Sequence, residues 1–210
     1  MMSVENLNKQ GGESAMAKRI TVIQGHPDGH ARHFCHVLAE EYMKGAKNER
    51  HEVCSIDVAG IDFPLLRTKE DFENATPINT IRQAQDAISW ANHLVIIYPL
   101  WLGTMPALLK AFFEQTLRPG FAFEYSDSGQ MPKKRLTGRS ARIIVCMGMP
   151  AFIYQWIYFA HGLKNLERNI LALSGIGPIK STLIGSIENM SEGRRVRWLT
   201  KIRKFGECGN

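Results

Sequence analysis

Cysteine is scarce and never paired: the chain has four in 210 residues, Cys35, Cys54, Cys146 and Cys208, with no CxxC among them. This excludes a disulfide scaffold or a CxxC zinc site and points to a reducing, cytoplasmic compartment. Cys35 falls on the apolar face of an expected helix and Cys146 inside an expected strand, so both read as small buried hydrophobes. No apolar run approaches the length of a membrane span, and the opening residues lack the apolar core of a signal peptide. Also missing are the GxGxxG fingerprint of a dinucleotide-binding unit and the lysine motif of a P-loop.

What is present is an ordinary globular composition, 44% hydrophobic and 22% charged, which leaves no room for a disordered or fibrous class. A chain of this length buries one good core, so residues 1–17 read as a flexible extension and 18–210 as a single domain. The net charge of +6 comes largely from "RRVRWLTKIRK", Arg194 to Lys204, where basic residues alternate with Val196, Trp198, Leu199 and Ile202 at helical spacing. That pattern describes a C-terminal helix with a solvated basic face. No nucleic-acid module accompanies it, so a nucleic acid is not expected as a partner, and contact with a lipid headgroup or partner protein is its minor alternative use.

Strand and helix patterns alternate along the chain. "RITVIQ" (19–24) is a short apolar strand, and residues 31–46 then place Phe34, Cys35, Leu38, Ala39, Tyr42 and Met43 on one helical stripe. "HEVCSIDV" (51–58) is a second strand, residues 78–92 a second helix, and "HLVIIYP" (93–99) a third strand, apolar on both faces as a central parallel strand must be. Pro106 suits the first position of the next helix. A long polar insertion precedes "ARIIVCMG" (141–148), a helical stretch spans about 162–173, and "PIKSTLIG" (178–185) is the fifth strand. Five strands alternating with helices give an α/β, doubly wound, five-stranded parallel sheet flanked by helices. In such sheets ligands bind beyond the carboxyl ends of the strands, where strand order reverses. The segments of interest are therefore His26 to Phe34, Pro99 to Thr104 and Met147 to His161.

In the first of these, "GHPDGHARHF", a strand end runs into a helix start. Its free N–H groups and positive dipole suit a phosphate, with His26 as an added donor and Arg32 as a charge. His30, His33 and His36 lie three apart, near Asp28, but one helix rarely completes a zinc site, so surface histidines and no metal are expected. The second segment, "YPLWLGTMPALLKAFFE", ends a strand at Tyr-Pro and exposes Leu100, Trp101 and Leu102 before the helix, offering flat apolar groups and backbone amides to a planar ring. The third carries Phe152, Tyr154, Trp156, Tyr158 and Phe159 ahead of His161, aromatics that fit an apolar cleft, a dimer interface, or both.

Together, "GHPD" after the first strand, "YPLWLGTMPALLKAFFE" after the third, "GFAFEY" behind it and an aromatic segment ending in "HG" resemble the flavodoxin-like NAD(P)H:quinone oxidoreductases, over about residues 18–185. The resemblance implies a homodimeric flavoprotein that reduces quinones by two-electron hydride transfer in ping-pong order, with NAD(P)H as a transient donor. It implies that His26 and the segment His30, Arg32, His33 and Phe34 meet the flavin's phosphates. Pro99, Leu100, Trp101, Leu102 and Gly103 then edge the isoalloxazine, and Met147, Gly148 and Met149 flank it. Tyr154 (or Gln155) and His161 fall where the family places its tyrosine and histidine, and are the catalytic candidates. Where vertebrate members of the family carry Ser-Phe-Asn at the helix start, this chain has His33-Phe34-Cys35.

FAD is expected over FMN, because the first loop and the "FAFEY" segment are long enough to cover an adenosine. The backbone amides from Leu100 to Gly103 are expected to face negative charge on a reduced ring. His161 belongs to the residue type that titrates near neutrality and is suited to give a proton to a quinol oxygen. Two rival readings remain open on sequence alone: a flavodoxin-like reductase of nitro or azo compounds, and a regulatory flavoprotein subunit of a membrane transporter.

Overall fold

The computed structural model describes residues 17–125 and 131–210, so the expected N-terminal extension lies, apart from Ala17, outside the described residues. Five strands form one parallel sheet: β1 (Arg19–Gln24), β2 (Glu52–Asp57), β3 (His93–Pro99), β6 (Ser140–Cys146) and β7 (Ile179–Ile184), in the order β2-β1-β3-β6-β7. A short antiparallel pair, β4 (Phe123–Glu124) and β5 (Lys133–Lys134), stands apart from it. This is the doubly wound arrangement expected from the alternating pattern, and the flavodoxin-like one that the resemblance implies.

The two-residue period of each strand divides its side chains between two cores. On β3, which is buried along its whole length, Val95 and Ile97 pack with Leu38 and Tyr42 of α1 (Phe34–Asn48) and Ile202 of α8 (Glu192–Glu207). Leu94, Ile96 and Tyr98 face Ile81 and Ile88 of α3 (Asn79–Trp90) and Leu109 and Phe112 of α4 (Ala107–Thr116). A central strand of this kind has no wet face, which is why its sequence shows no polar alternation.

The basic C-terminal helix is pinned as well as solvated. α8 crosses α1 with backbones touching: a Cβ on Gly45 would lie 2.0 Å from the Arg203 carbonyl oxygen, and one on Gly206 would lie 2.1 Å from that of Tyr42. Buried Glu41 accepts from Arg203 Nε at 2.7 Å and from Lys44 at 2.8 Å. On β6 the Arg142 guanidinium lies 3.8 Å over the Phe205 ring and donates to the Asn210 carbonyl at 2.7 Å. Arg194, Arg197 and Lys201 remain exposed.

Local departures from the sequence reading have local causes. α1 starts at Phe34 rather than near residue 31 because His33 caps it, donating its N–H to His36 Nδ1 at 3.1 Å. Pro106 occupies the cap of α4, one position before its first residue. The helical stretch expected at 162–173 is α6 (His161–Asn165), a wider π-helical turn (Leu166–Leu171) and α7 (Ala172–Ser174). Two short helices escaped the periodicity, α5 (Ala151–Trp156) and α2 (Lys69–Glu73); the capping box of α2, Thr68 with Asp71, is legible in "TKED". Among the described residues no helix is long and apolar enough to cross a membrane.

Candidate functional site

From the neighbouring strands β1 and β3 the chain departs in opposite directions, to β2 on one side and to β6 on the other. The loops that follow them therefore leave a crevice at the carboxyl end of the sheet. His26 and Trp101 face each other across it, ring centroids 6.3 Å apart and edge to face at 77°.

On the β1 side three imidazoles gather. His26, only 7% exposed, stacks on His33 with centroids 3.9 Å apart and planes 17° from parallel, and lies 5.2 Å from His36. His26 Nδ1 accepts the Asp28 N–H at 3.1 Å, and the His26 N–H is taken by Gln24 Oε1 at 3.0 Å. Burial, then the neighbouring His33 and His36, hold the His26 pKa below its ordinary value. Hydrogen bonds from His33 and from the His30 N–H pull the Asp28 carboxyl down to about 2, and its Oδ2 lies 2.7 Å from His33 Nε2.

The remaining candidates of this loop stand further out. His30 is exposed, and Arg32 pairs with Glu40 at 2.6 Å on the open surface. The half-buried Phe34 ring lies under the Arg195 guanidinium of α8 at 4.7 Å. In the first turn of α1 the His36 N–H is taken by the His33 carbonyl at 3.0 Å, which leaves the Phe34 and Cys35 amides as the open donors of this helix start. Among the described residues no group of three or more His, Cys, Asp or Glu is disposed to hold a metal ion.

On the β3 side Trp101 to Thr104 form a tight turn, with Trp101 N–H to Thr104 O at 2.9 Å and Thr104 N–H to Trp101 O at 3.0 Å. Leu102 and Gly103 both have positive φ, +47° and +80°, the signature of a type I′ turn. The Leu100 N–H is committed to the Cys146 carbonyl at 2.7 Å, so of the four amides expected to face a ring only those of Leu102 and Gly103 are outside the loop's own bonds. Pro99 is buried at the strand end, while Trp101 is half exposed and Leu102 stands fully in solvent at 105% relative exposure.

The third segment supports this turn. Tyr154, 1% exposed on α5 (Ala151–Trp156), donates its hydroxyl to the Gly103 carbonyl at 3.1 Å and accepts the Leu163 N–H at 3.0 Å. Burial raises its phenol pKa. Gly162 lies against the same turn, where a Cβ would come within 2.2 Å of the Gly103 oxygen. Its neighbour His161, exposed at the start of α6, is thereby brought beside the Trp101–Thr104 turn.

Phe159 and Ala160 hold left-handed backbone at φ +52° and +49°, a conformation non-glycine residues adopt at a cost. Phe152, Trp156, Ile157, Tyr158 and Phe159 are all more than half exposed. Of the residues after β6, Met147 is buried in the core with its N–H on the Ile184 carbonyl. Gly148 is exposed beside Glu188, and Met149 is half-buried.

One residue of the crevice was not singled out by sequence, and another was expected in a different environment. Gln24 is 7% exposed, and its Nε2 is buried without a partner among the described residues. The signal was a glutamine closing an otherwise apolar strand. His36, expected in solvent, is half-buried within the imidazole cluster.

A protein described as an uncharacterized NAD(P)H oxidoreductase from Haemophilus influenzae is 27% identical over 106 residues, 49% of this chain and 52% of that protein. An FMN-dependent NADH:quinone oxidoreductase from Alteromonas mediterranea is 26% identical over 123 residues, 53% of this chain and 60% of that protein. The chain thus spans about half to three fifths of the length of these curated relatives. The solved structure of an NAD(P)H:quinone oxidoreductase from Methanothermobacter marburgensis shares the fold, with a TM-score of 0.76 at 19% identity, covering 91% of this chain and 96% of that one. Residues 18–204, the stretch that builds the sheet and its crevice, match the protein family described as Flavodoxin-like fold, and the chain belongs to that family.

Proposed function

We propose that this protein is a flavin-dependent NAD(P)H:quinone oxidoreductase, with FMN as its flavin, working as a cytoplasmic homodimer. The observation that carries this reading is the crevice itself, which has an imidazole stack at a helix start on one side and an exposed apolar turn with uncommitted amides on the other. Its residues fit a flavin: Gln24 Nε2, without a partner among the described residues, and the Phe34 and Cys35 amides at the start of α1 are donors in want of an anion, and Trp101 and Leu102 offer apolar surface to a ring. A bound flavin supplies two-electron chemistry, taking hydride from a nicotinamide and giving it to a quinone in ping-pong order.

This chain's own residues bind, orient and shield. His26, His33 and the α1 start hold the phosphate, with His30, Arg32 and Phe34 at its margin. The Leu102 and Gly103 amides would donate to negative charge on a bound ring, an electrostatic role that Pro99 and Leu100 support by fixing the turn to the sheet. Gly148 and Met149 border the ring from the β6 side, and buried Met147 holds that border to the core. Tyr154 is a positioning residue, its hydroxyl already engaged twice. His161 is the group placed to give a proton to the quinol oxygen.

The preference for FMN replaces the expectation of FAD. The "FAFEY" segment was to cover an adenosine, but Ala122 and Phe123 are buried, and Phe123 shares a cavity with Phe72, Phe113 and Leu117 beside α4. The Alteromonas relative is named for FMN. A homodimer accounts for the cluster of exposed aromatics from Phe152 to Phe159, more apolar surface than a monomer usually leaves in water. Four free cysteines suit a reducing cytoplasm.

The test is the visible spectrum of the purified protein, acid release and mass analysis of the chromophore, and steady-state rates with a benzoquinone, a naphthoquinone and an azo dye. Flavin bands that bleach with NAD(P)H and return with either quinone are the expected result. A protein that binds neither FMN nor FAD overturns the reading, and azo reduction with negligible quinone turnover overturns its substrate.

A further inference from the structure

The three histidines of the crevice are arranged in a way that phosphate recognition by amides or hydroxyls does not require. Two imidazoles stacked at 3.9 Å and 17° repel each other when both carry charge, and the third is 5.2 Å from His26 and 5.8 Å from His33. Burial, then repulsion from His33 and His36, disfavours the charged form of His26 in the free protein. Beside them Gln24 Nε2 is a buried donor without an acceptor among the described residues. A cluster of this kind is short of negative charge, and a dianion brought among the rings reverses the sign of the electrostatics that disfavour their protonation.

We propose that the His26–His33–His36 stack takes up a proton when it binds a phosphate monoester, so that the site selects phosphorylated over unphosphorylated flavin and its affinity falls as pH rises through neutrality. This rests on the flavin reading above. The charged and titratable groups around the stack are few. Asp28 stays ionised throughout and partners His33, while His30 and the Arg32–Glu40 pair lie at the surface of the same loop and helix. Asp57, at the end of β2, accepts from the Ala59 N–H, and the Ala59 side chain meets the loop at Gly29. Glu188 stands at Gly148, and Arg195 of α8 covers Phe34. The Asp28 carboxylate meets the stack at His33 Nε2 with or without a ligand, so the extra proton answers the ligand's charge rather than the protein's.

The sign follows from linkage. Each proton taken up on binding makes affinity fall by roughly tenfold per pH unit between the pKa of the free cluster and that of the complex, and no further above the latter. A free phosphate monoester has its second pKa near about 6 and is a dianion above pH 7, so its own titration contributes little there. The experiment is fluorescence titration of the apoprotein with FMN and with riboflavin at about pH 7.0 and 8.5, repeated with the His36→Gln variant. Calorimetry in two buffers of different ionisation enthalpy counts the protons. Glutamine at this position keeps the acceptor that caps α1, where His36 Nδ1 receives the His33 N–H, and removes only the titrating group.

The expected result is an FMN affinity at least about fivefold weaker at the higher pH, with net proton uptake, a flat riboflavin profile, and a flattened FMN profile in the variant. FMN binding no more pH-dependent than riboflavin binding, or an undiminished slope in His36→Gln, overturns the proposal and leaves the flavin reading standing. Failure of both flavins to bind at either pH overturns both.

Discussion

Replacing Tyr154 by phenylalanine separates support from chemistry at this site. The hydroxyl joins two segments: it accepts the buried Leu163 N–H at 3.0 Å and donates to the Gly103 carbonyl at 3.1 Å. Phenylalanine fills the same space and leaves the Leu163 amide, in the first turn of α6, without an acceptor in a residue only 4% exposed. A buried unsatisfied N–H costs about 1–3 kcal/mol, and the second, more peripheral bond adds about 0.5–1 kcal/mol. A total near 2–3 kcal/mol lowers the melting temperature of a domain this size by about 5–10 °C. With the turn untied, flavin affinity falls several-fold, while kcat for protein saturated with flavin keeps its pH profile. Thermal unfolding, flavin titration and kcat against pH are the assays. An unchanged melting temperature together with loss of one limb of the pH profile refutes the argument and makes Tyr154 an acid in the reaction.

Three further outcomes follow from the same structure. Gly162→Ala places a Cβ 2.2 Å from the Gly103 oxygen and 2.7 Å from the Thr104 Cα, so the turn must move; a loss of about 1–3 kcal/mol in stability and weaker flavin binding are expected, read by melting and titration. His93, buried with its Nδ1 2.7 Å from Ser140 Oγ, has its pKa pushed down to about 3, chiefly by burial, with Lys18 and Arg142 adding to it. The unfolded chain protonates this histidine near pH 6.5 and the native one does not. Stability present above that pH is therefore lost as pH falls toward 3, by about 2 kcal/mol at pH 5. Urea unfolding at pH 7 and 5 measures the loss, and an identical loss in His93→Gln refutes the assignment. A hydrogen bond to Cys35 and complete burial push the Cys146 thiol up, so a maleimide labels exposed Cys208 in the folded protein and reaches Cys35 and Cys146 only on unfolding, as mass mapping will show.

The sequence by itself determined the layers. Apolar runs such as "HLVIIYP" admit only a strand covered on both faces, and the stripe through Phe34, Leu38 and Tyr42 admits only a helix lying on the sheet, so strand number, parallel direction and the loops at the carboxyl ends were all legible. Turn chemistry was legible too, in the glycine of "WLGT" and the histidine-proline of "GHPD". Tertiary structure decided which of these loop residues face the crevice.

Trp101 N–H and Leu100 N–H are spent on the turn and on β6, and Tyr154 is spent on Gly103 and Leu163, because backbone groups at a sheet end must find partners wherever the neighbouring strand provides them. Sequence spacing cannot show that, since the partners lie 46 residues away for Leu100 and 51 for Tyr154. The gathering of His26, His33 and His36 was hidden for the same reason. The spacing of His30, His33 and His36 suggested solvated positions on one helix, with His26 apart at the strand end, and only the fold of the loop after β1 turns His26 back onto the helix start and closes His26, His33 and His36 into one cluster.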